Sequence, residues 1–154
     1  MIKILFVCHG NICRSTMCES YFTYLVNQHN LSNRFTLSSA ATSREEIGNP
    51  PHYGTVRKLR EEGIAVVPHR AVQMTTADYE KYDYLIGMDG ANIRNMQRIA
   101  GGDPQGKIRK LLSFAGMERD VADPWYTGDF EATYRDTVTG CTALLNFLEE
   151  QGML

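Results

Sequence analysis

A cysteine at position 8 and an arginine at position 14 enclose the five residues His9-Gly10-Asn11-Ile12-Cys13, and Ser15 follows at once. Before the cysteine, Ile2, Ile4, Leu5, Phe6 and Val7 form an apolar run broken only by Lys3, the pattern of a strand covered on both faces. After the arginine, Met17, Tyr21, Tyr24, Leu25 and Gln28 recur at helical spacing, which predicts a helix over 17–28 packed back on that strand. A tight loop between strand and helix can turn successive backbone N–H groups inward, and the helix N-terminus adds partial positive charge, so the segment reads as an anion cradle. Gly10 and Asn11 are residue types that accept the left-handed backbone such a turn can require. Arg14 can offer two parallel hydrogen bonds to phosphate oxygens, which a lysine cannot reproduce. Cys8, surrounded by inward N–H groups, a helix terminus and a guanidinium, is favoured as a thiolate, and the thiolate is the nucleophile. The same loop can hold a phosphate and place the sulfur behind its phosphorus, while Ser15 donates a hydrogen bond to the sulfur as it leaves. A lone cysteine at a strand end is more often inert packing. The arginine and serine at this spacing make chemistry the stronger reading.

Displacement of an aryl or alkyl oxygen needs a proton given to the leaving group, and a later water needs one removed; a single carboxyl can do both. Asp123 stands in the segment after the last expected strand, with Pro124 stiffening its exit and Trp125 and Tyr126 beside it. Those two aromatics can wall a site on which a phosphorylated ring stacks, with Ile12 opposite. An Asp-Pro pair taken alone is usually a turn. The need for an acid and the length of the segment raise a functional reading beside that ordinary one.

The elements that must position these groups alternate. Strands are expected at 2–7, 35–40, 84–88 and 108–112. Helices are expected at 17–28, at 53–62 ending at Gly63, in a short piece capped by Thr75 or Thr76, at 89–100 closed by Gly101, and near the C-terminus. The terminal helix carries Tyr134, Val138, Cys141, Leu145 and Leu148 as one apolar stripe. Such alternation implies a single α/β domain over 1–154, a three-layer, Rossmann-like sandwich with an open parallel sheet and helices on both faces. Ligands of such sheets bind beyond the carboxyl ends of the strands.

Composition narrows the partners. Sixteen Lys and Arg stand against 18 Asp and Glu, so no broad positive field favours a nucleic acid or an anionic membrane. The opening apolar run is too short for a signal peptide and no stretch approaches spanning length, so a cytoplasmic location is expected. A reducing compartment keeps Cys8, Cys13, Cys18 and Cys141 as thiols. Cys18 and Cys141 fall at helix-core spacing, and no Cys-x-x-Cys or histidine cluster suggests a metal, so no cofactor is expected.

The run Val7-Cys8-His9-Gly10-Asn11-Ile12-Cys13-Arg14-Ser15 resembles the signature of the low-molecular-weight protein tyrosine phosphatases. Ser39-Ala40-Ala41-Thr42-Ser43, Gly48-Asn49-Pro50, Gly63-Ile64, His69-Arg70-Ala71, the segment 84–89 and Asp123-Pro124 follow that family's order and spacing over nearly the whole chain. The resemblance implies a four-stranded parallel sheet and metal-free hydrolysis through a phosphocysteine. It puts Cys8, Arg14, Ser15 and Asp123 in the roles above and His69 as a support hydrogen-bonded to Asn11. It also makes Cys13 a thiol able to trap oxidised Cys8 as a reversible disulfide. The expected partners are phosphotyrosine-containing proteins or small aryl phosphates, and the expected assembly is a monomer or weak homodimer.

Isoleucine at position 12, where relatives resembling arginine-phosphate phosphatases carry threonine, favours an aromatic ring. An arsenate reductase would need further cysteines in a later segment, and 82–89 has none. A non-catalytic anion-binding module would keep the cradle without needing Cys8 or Asp123. Glu45, which by itself reads as a solvated loop charge, replaces an aromatic common in the family, Thr16 a proline and His9 a small or aliphatic residue, so a rim of unusual polarity is expected.

Overall fold

In the computed structural model, which describes all 154 residues, four parallel strands lie in the order β2-β1-β3-β4. They are β1 (Ile2–Cys8), β2 (Phe35–Ala41), β3 (Tyr84–Gly87) and β4 (Ile108–Lys110). Six helices accompany them: α1 (Arg14–Gln28), α2 (Tyr53–Glu61), α3 (Thr76–Lys81), α4 (Gly90–Ala100), α5 (Pro124–Thr127) and α6 (Phe130–Glu150). The chain leaves β1 toward β2 on one side and returns to β3 on the other. The carboxyl end of β1 therefore faces the crevice where such sheets bind ligands.

The parity of β1 decides which layer each side chain enters. Ile2, Ile4, Phe6 and Cys8 join the larger core with Met17, Phe22 and Val26 of α1 and Cys141, Leu144 and Leu148 of α6. Leu5 and Val7 face the smaller core with Tyr79, Tyr82, Leu85 and Met96. Burial of both faces explains the nearly unbroken apolar run. Thr75 and Asp78 form a capping box on α3, in line with the expected cap at Thr75 or Thr76, and Asp89 with Asn92 forms an equivalent cap on α4. No helix is long and apolar enough to cross a membrane.

Three boundaries depart from the expected ones. Helix α1 begins at Arg14, earlier than position 17, because its first turn is made of buried polar residues, Arg14, Ser15 and Thr16, which carry no apolar period. Strand β4 stops at Lys110; Leu111 and Leu112 turn into a 3₁₀ segment, Leu111–Ala115, that drives both leucines into the core against α6. The segment around Asp123 is not wholly irregular, since Asp123 caps the one-turn helix α5 with Pro124 at its first position and Gly128 (φ 71°) ends it.

Gly140 of α6 marks how closely the 3₁₀ segment approaches, because a Cβ there would lie 2.3 Å from Leu111 Cγ. Alanine gains roughly 1 kcal/mol of helix propensity over glycine. Overpacking a closed core costs about 1–3 kcal/mol and should outweigh that gain. Gly140→Ala is expected to lower the urea midpoint; a raised midpoint would mean that Leu111 repacks freely.

Candidate active site

The loop from Cys8 to Arg14 is shaped by where its carbonyls go. Cys8 C=O accepts from Thr42 N–H (3.0 Å), His9 C=O from Ser43 N–H (3.0 Å), and Ile12 C=O from His52 N–H (2.8 Å). Cys13 C=O accepts from Met17 N–H (3.2 Å) and from the Thr55 hydroxyl (3.1 Å). Within a planar trans peptide the carbonyl and the following N–H point opposite ways. Each outward carbonyl thus turns the next N–H away from these partners and into the hollow of the loop, the geometry an anion cradle needs. Helix α1 carries no acidic residue in its first turn, so its positive end stays available.

Cys8 Sγ lies at the floor, 3.1 Å from Ser15 Oγ and 3.4 Å from the Ser15 backbone N–H that donates to it. Asn11 donates from Nδ2 to Ser15 Oγ (2.8 Å), which leaves the serine's own hydrogen free to point at the sulfur. Asn11 Oδ1 accepts from His69 Nε2 (2.6 Å) and from Val72 N–H (3.1 Å). This asparagine is fully buried and is the loop residue in the left-handed region, at φ 60°. Gly10, the other residue expected to need that region, does not adopt it. A Cβ at Gly10 would meet Glu46 Cγ at an ordinary 3.4 Å, so the turn is carried by Asn11 alone.

Arg14 is buried, with its guanidinium shared among three acceptors. Asp89 Oδ2 accepts at 2.9 Å and Val121 C=O at 3.2 Å, while Asp123 Oδ2 lies 3.3 Å away. Burial works against its charge, yet Cys8, Asp123 and Asp89 together outweigh that and hold it above its ordinary value. The neighbouring Cys13 is the opposite case: burial above all, then the charges of Cys8 and Asp123, push its thiol up to about 12. Cys13 is therefore a poor nucleophile while Cys8 is reduced.

Eleven residues line a cleft of about 390 Å³: Cys8, His9, Gly10, Ile12, Cys13 and Arg14 from the loop, Glu45 and Glu46 on one side, Asp123, Trp125 and Tyr126 on the other. Asn11, Ser15 and His69 lie behind it. Trp125 and Tyr126 are largely exposed, 61% and 85%, and so form a rim. Glu45, at first sight a solvated loop charge, pairs with His9 across the mouth. All four cysteines are free thiols, and Cys18 and Cys141 are fully buried.

Three contributors escaped the sequence reading. Asp89 registered only as the first residue of an expected helix; it caps that helix through Oδ1, while Oδ2 holds Arg14. Its place at the carboxyl end of β3, next to β1, was the available signal. Glu19 sits mid-helix, buried, and accepts from Ser39 Oγ at 2.5 Å with His69 Nδ1 at 3.9 Å; burial pushes its carboxyl up, the Ser39 bond pulling the other way. His52 caps α2 through Nδ1 (3.0 Å to Gly54 N), stacks on Phe130 and meets Trp125 edge-on.

Fold and site define a class: a parallel α/β protein whose anion loop is built round a cysteine and closed by an arginine and an aspartate. Residues 3–153 match the model of the low molecular weight phosphotyrosine protein phosphatase family. The chain is 40% identical to the low molecular weight protein-tyrosine-phosphatase YfkJ of Bacillus subtilis, over all of both chains. It is 39% identical to the human low molecular weight phosphotyrosine protein phosphatase, over 93% of each. The crystal structure of YfkJ superposes with a TM-score of 0.93, covering 98% of this chain and 96% of that one. The chain belongs to the low molecular weight phosphotyrosine protein phosphatase family.

Burial holds the His69 imidazole below its ordinary 6.5. The unfolded chain then takes up a proton near pH 6.5 that the folded protein does not, so this contribution is complete above 6.5 and is lost as pH falls through it. The raised Glu19 carboxyl acts in the opposite sense, above its ordinary 4.5, and remains present in both proteins compared. His69→Gln, which keeps an N–H donor for Asn11, should lose less of its urea midpoint between pH 7.5 and 5.5 than the parent. Parallel profiles would contradict this.

Proposed function

We propose that this chain hydrolyses phosphotyrosine monoesters through a phosphocysteine on Cys8, with Arg14 as phosphate clamp and Asp123 as general acid and base. The observation that carries the reading is the convergence of a thiol, a guanidinium and a carboxylate on one cleft, with Arg14 Nη2 3.3 Å from Asp123 Oδ2. As a member of its family the chain is a protein tyrosine phosphatase, and the residues divide the work as follows. The phosphate lies in the hollow of the loop, against the inward N–H groups and Arg14. Cys8 thiolate attacks phosphorus, the bond to the tyrosyl oxygen breaks, and protonated Asp123 gives that oxygen its proton. Asp123, now a carboxylate, takes a proton from water as the water attacks phosphorus. The sulfur–phosphorus bond breaks, and Ser15 stabilises the returning thiolate.

Ile12, Trp125 and Tyr126 offer apolar surface to the ring, which favours aryl phosphates, and the His9–Glu45 pair makes one wall polar. The domain is 1–154 and its compartment the reducing cytoplasm, where the active thiol survives. Oxidation of the Cys8 thiolate to a sulfenic acid by a peroxide, itself reduced to water or an alcohol, removes one of the charges that, after burial, hold the Cys13 thiol up. Cys13 can then displace water from that sulfur to close a disulfide.

Turnover of p-nitrophenyl phosphate in excess chelator tests the reading. The parent should hydrolyse it and folded Cys8→Ser should not; phosphate binding without turnover in the parent would point to a binding module. Asp123→Ala should lose far more kcat/KM on phenyl phosphate than on p-nitrophenyl phosphate, because that constant reports the leaving-group step and only the poorer leaving group depends strongly on a proton. Equal losses on both substrates would contradict an acid role.

A further inference from the structure

Residues 120–123 form a strap held at every residue, and two of its anchors lie on α6, outside the cleft. Asp120 is fixed by its carboxylate, which pairs with Lys110 (2.7 Å) and accepts from Gly90 N–H (3.2 Å). Val121 is fixed by its backbone, its N–H donating to Met88 C=O (2.9 Å) and its C=O accepting from Arg14. Ala122 is clasped at both ends: its N–H donates to Asp136 Oδ2 (2.9 Å) and its C=O accepts from the Thr133 hydroxyl (2.8 Å). Asp123 comes next.

The Asp136 carboxylate is buried and completed by Arg119, which donates to Oδ1 (2.7 Å) and Oδ2 (3.0 Å) in the bidentate manner. Thr133 is fully buried. Neither touches the cleft. Both sit on α6, one turn apart, and α6 is anchored in the larger core by Cys141, Leu144 and Leu148.

We infer that Asp136 and Thr133 are positioning residues for the acid, fixing both ends of the Ala122 residue so that Asp123 is carried over Cys8 by the rigid frame of α6. The inference rests on Asp123 being the acid. The Ala122 carbonyl and the Asp123 N–H share one peptide plane, so the Thr133 bond sets the plane from which Asp123 departs. The Asp136 bond fixes the preceding plane. A helix is a stiffer support for a reacting group than a loop alone. Arg14 also bonds Asp89 Oδ2 (2.9 Å), outside the strap, so the phosphate clamp keeps a support of its own when the Ala122 bonds are lost.

The test is a double-mutant cycle on kcat for phenyl phosphate, with inhibition by inorganic phosphate as the measure of an intact cradle. Asp136→Ala is expected to lose about tenfold to a hundredfold in kcat, the scale of a misplacement near 1 Å. Its phosphate Ki should stay within roughly twofold, since uniform binding is not what the variant removes. Asp136→Asn, which keeps an acceptor for the Ala122 N–H, should recover most of the loss. In an Asp123→Ala background Asp136→Ala should cost nothing further, because a residue acting only through Asp123 has nothing left to position. If Asp136→Ala does not fold, Thr133→Val, which removes one hydroxyl at nearly constant volume, carries the same comparison. Equal losses in both backgrounds, or parent-like kcat in a folded Asp136→Ala, would overturn the inference. An Asp123→Ala enzyme as active as the parent would instead overturn the acid assignment itself.

Discussion

The side-chain amide of Asn11 joins two segments that are far apart in sequence, the loop with the start of α1 and the stretch 69–72. Its nitrogen fixes Ser15 and its oxygen ties His69 and Val72, all from a backbone in the left-handed region with no exposed surface. An asparagine accepts that backbone more readily than a branched or bulky residue, and here its amide satisfies the partners it buries. The cradle depends on this one residue in two ways. The loop reverses at Asn11, which lets carbonyls on both sides of it bond outward and N–H groups turn in. Asn11 also fixes the Ser15 oxygen 3.1 Å from Cys8 Sγ, where the serine hydroxyl can donate once Cys8 is a thiolate. His69, held by Asn11 and standing beside Ser39 and Glu19, extends the same network beneath the loop into α1 and β2.

A second constraint is the buried charge of Arg14. A guanidinium this deep needs compensating acceptors whether or not a phosphate is present. Its two carboxylate partners are unequal. Asp89 is tied into the cap of α4 and bonds Arg14 at 2.9 Å, so it orients the guanidinium as a fixed part of the frame. Asp123 stands 3.3 Å off on the strap, with its other oxygen accepting from Trp125 N–H. One carboxylate holds the guanidinium and the other stands at the mouth of the cleft, where the proposed acid would be. The strap that carries Asp123 is braced by α4, by Lys110 at the end of β4 and by α6, so both sides of the sandwich contribute to where that one carboxylate stands.

What was legible in the sequence was what is contiguous or periodic. The nearly unbroken Ile2–Val7 run identified a doubly covered strand, and Cys8 through Ser15 sit together in the chain, so their joint chemistry could be read from spacing alone. Asp123 was legible through the resemblance of Asp123-Pro124 to the family's motif and the need for an acid, in a segment long enough to be suspect. Asp89, Glu19, Thr133 and Asp136 were not, because each sits in a helix or cap where a polar residue has an ordinary local explanation. Their partners lie 11 to 75 residues away, from Ala122 for Thr133 to Arg14 for Asp89, and nothing local in the sequence marks them. The early start of α1 failed for a related reason. The residues of its first turn are buried for the sake of the site, so they are polar, and apolar periodicity cannot register them. The early end of β4 reflects Leu111 and Leu112 being needed in the core against α6, a demand that a run of apolar residues does not distinguish from strand continuation.

The central claim is that phosphorus is bonded to Cys8 during turnover, and the direct measurement is a rapid denaturing quench of the parent with a saturating aryl phosphate, followed by mass mapping of the peptides. The account predicts one phosphoryl group, on the peptide carrying Cys8 and localised to its sulfur, appearing before free phosphate accumulates. Sustained turnover with Cys8 unmodified at every time point, or phosphate on another side chain, would contradict it.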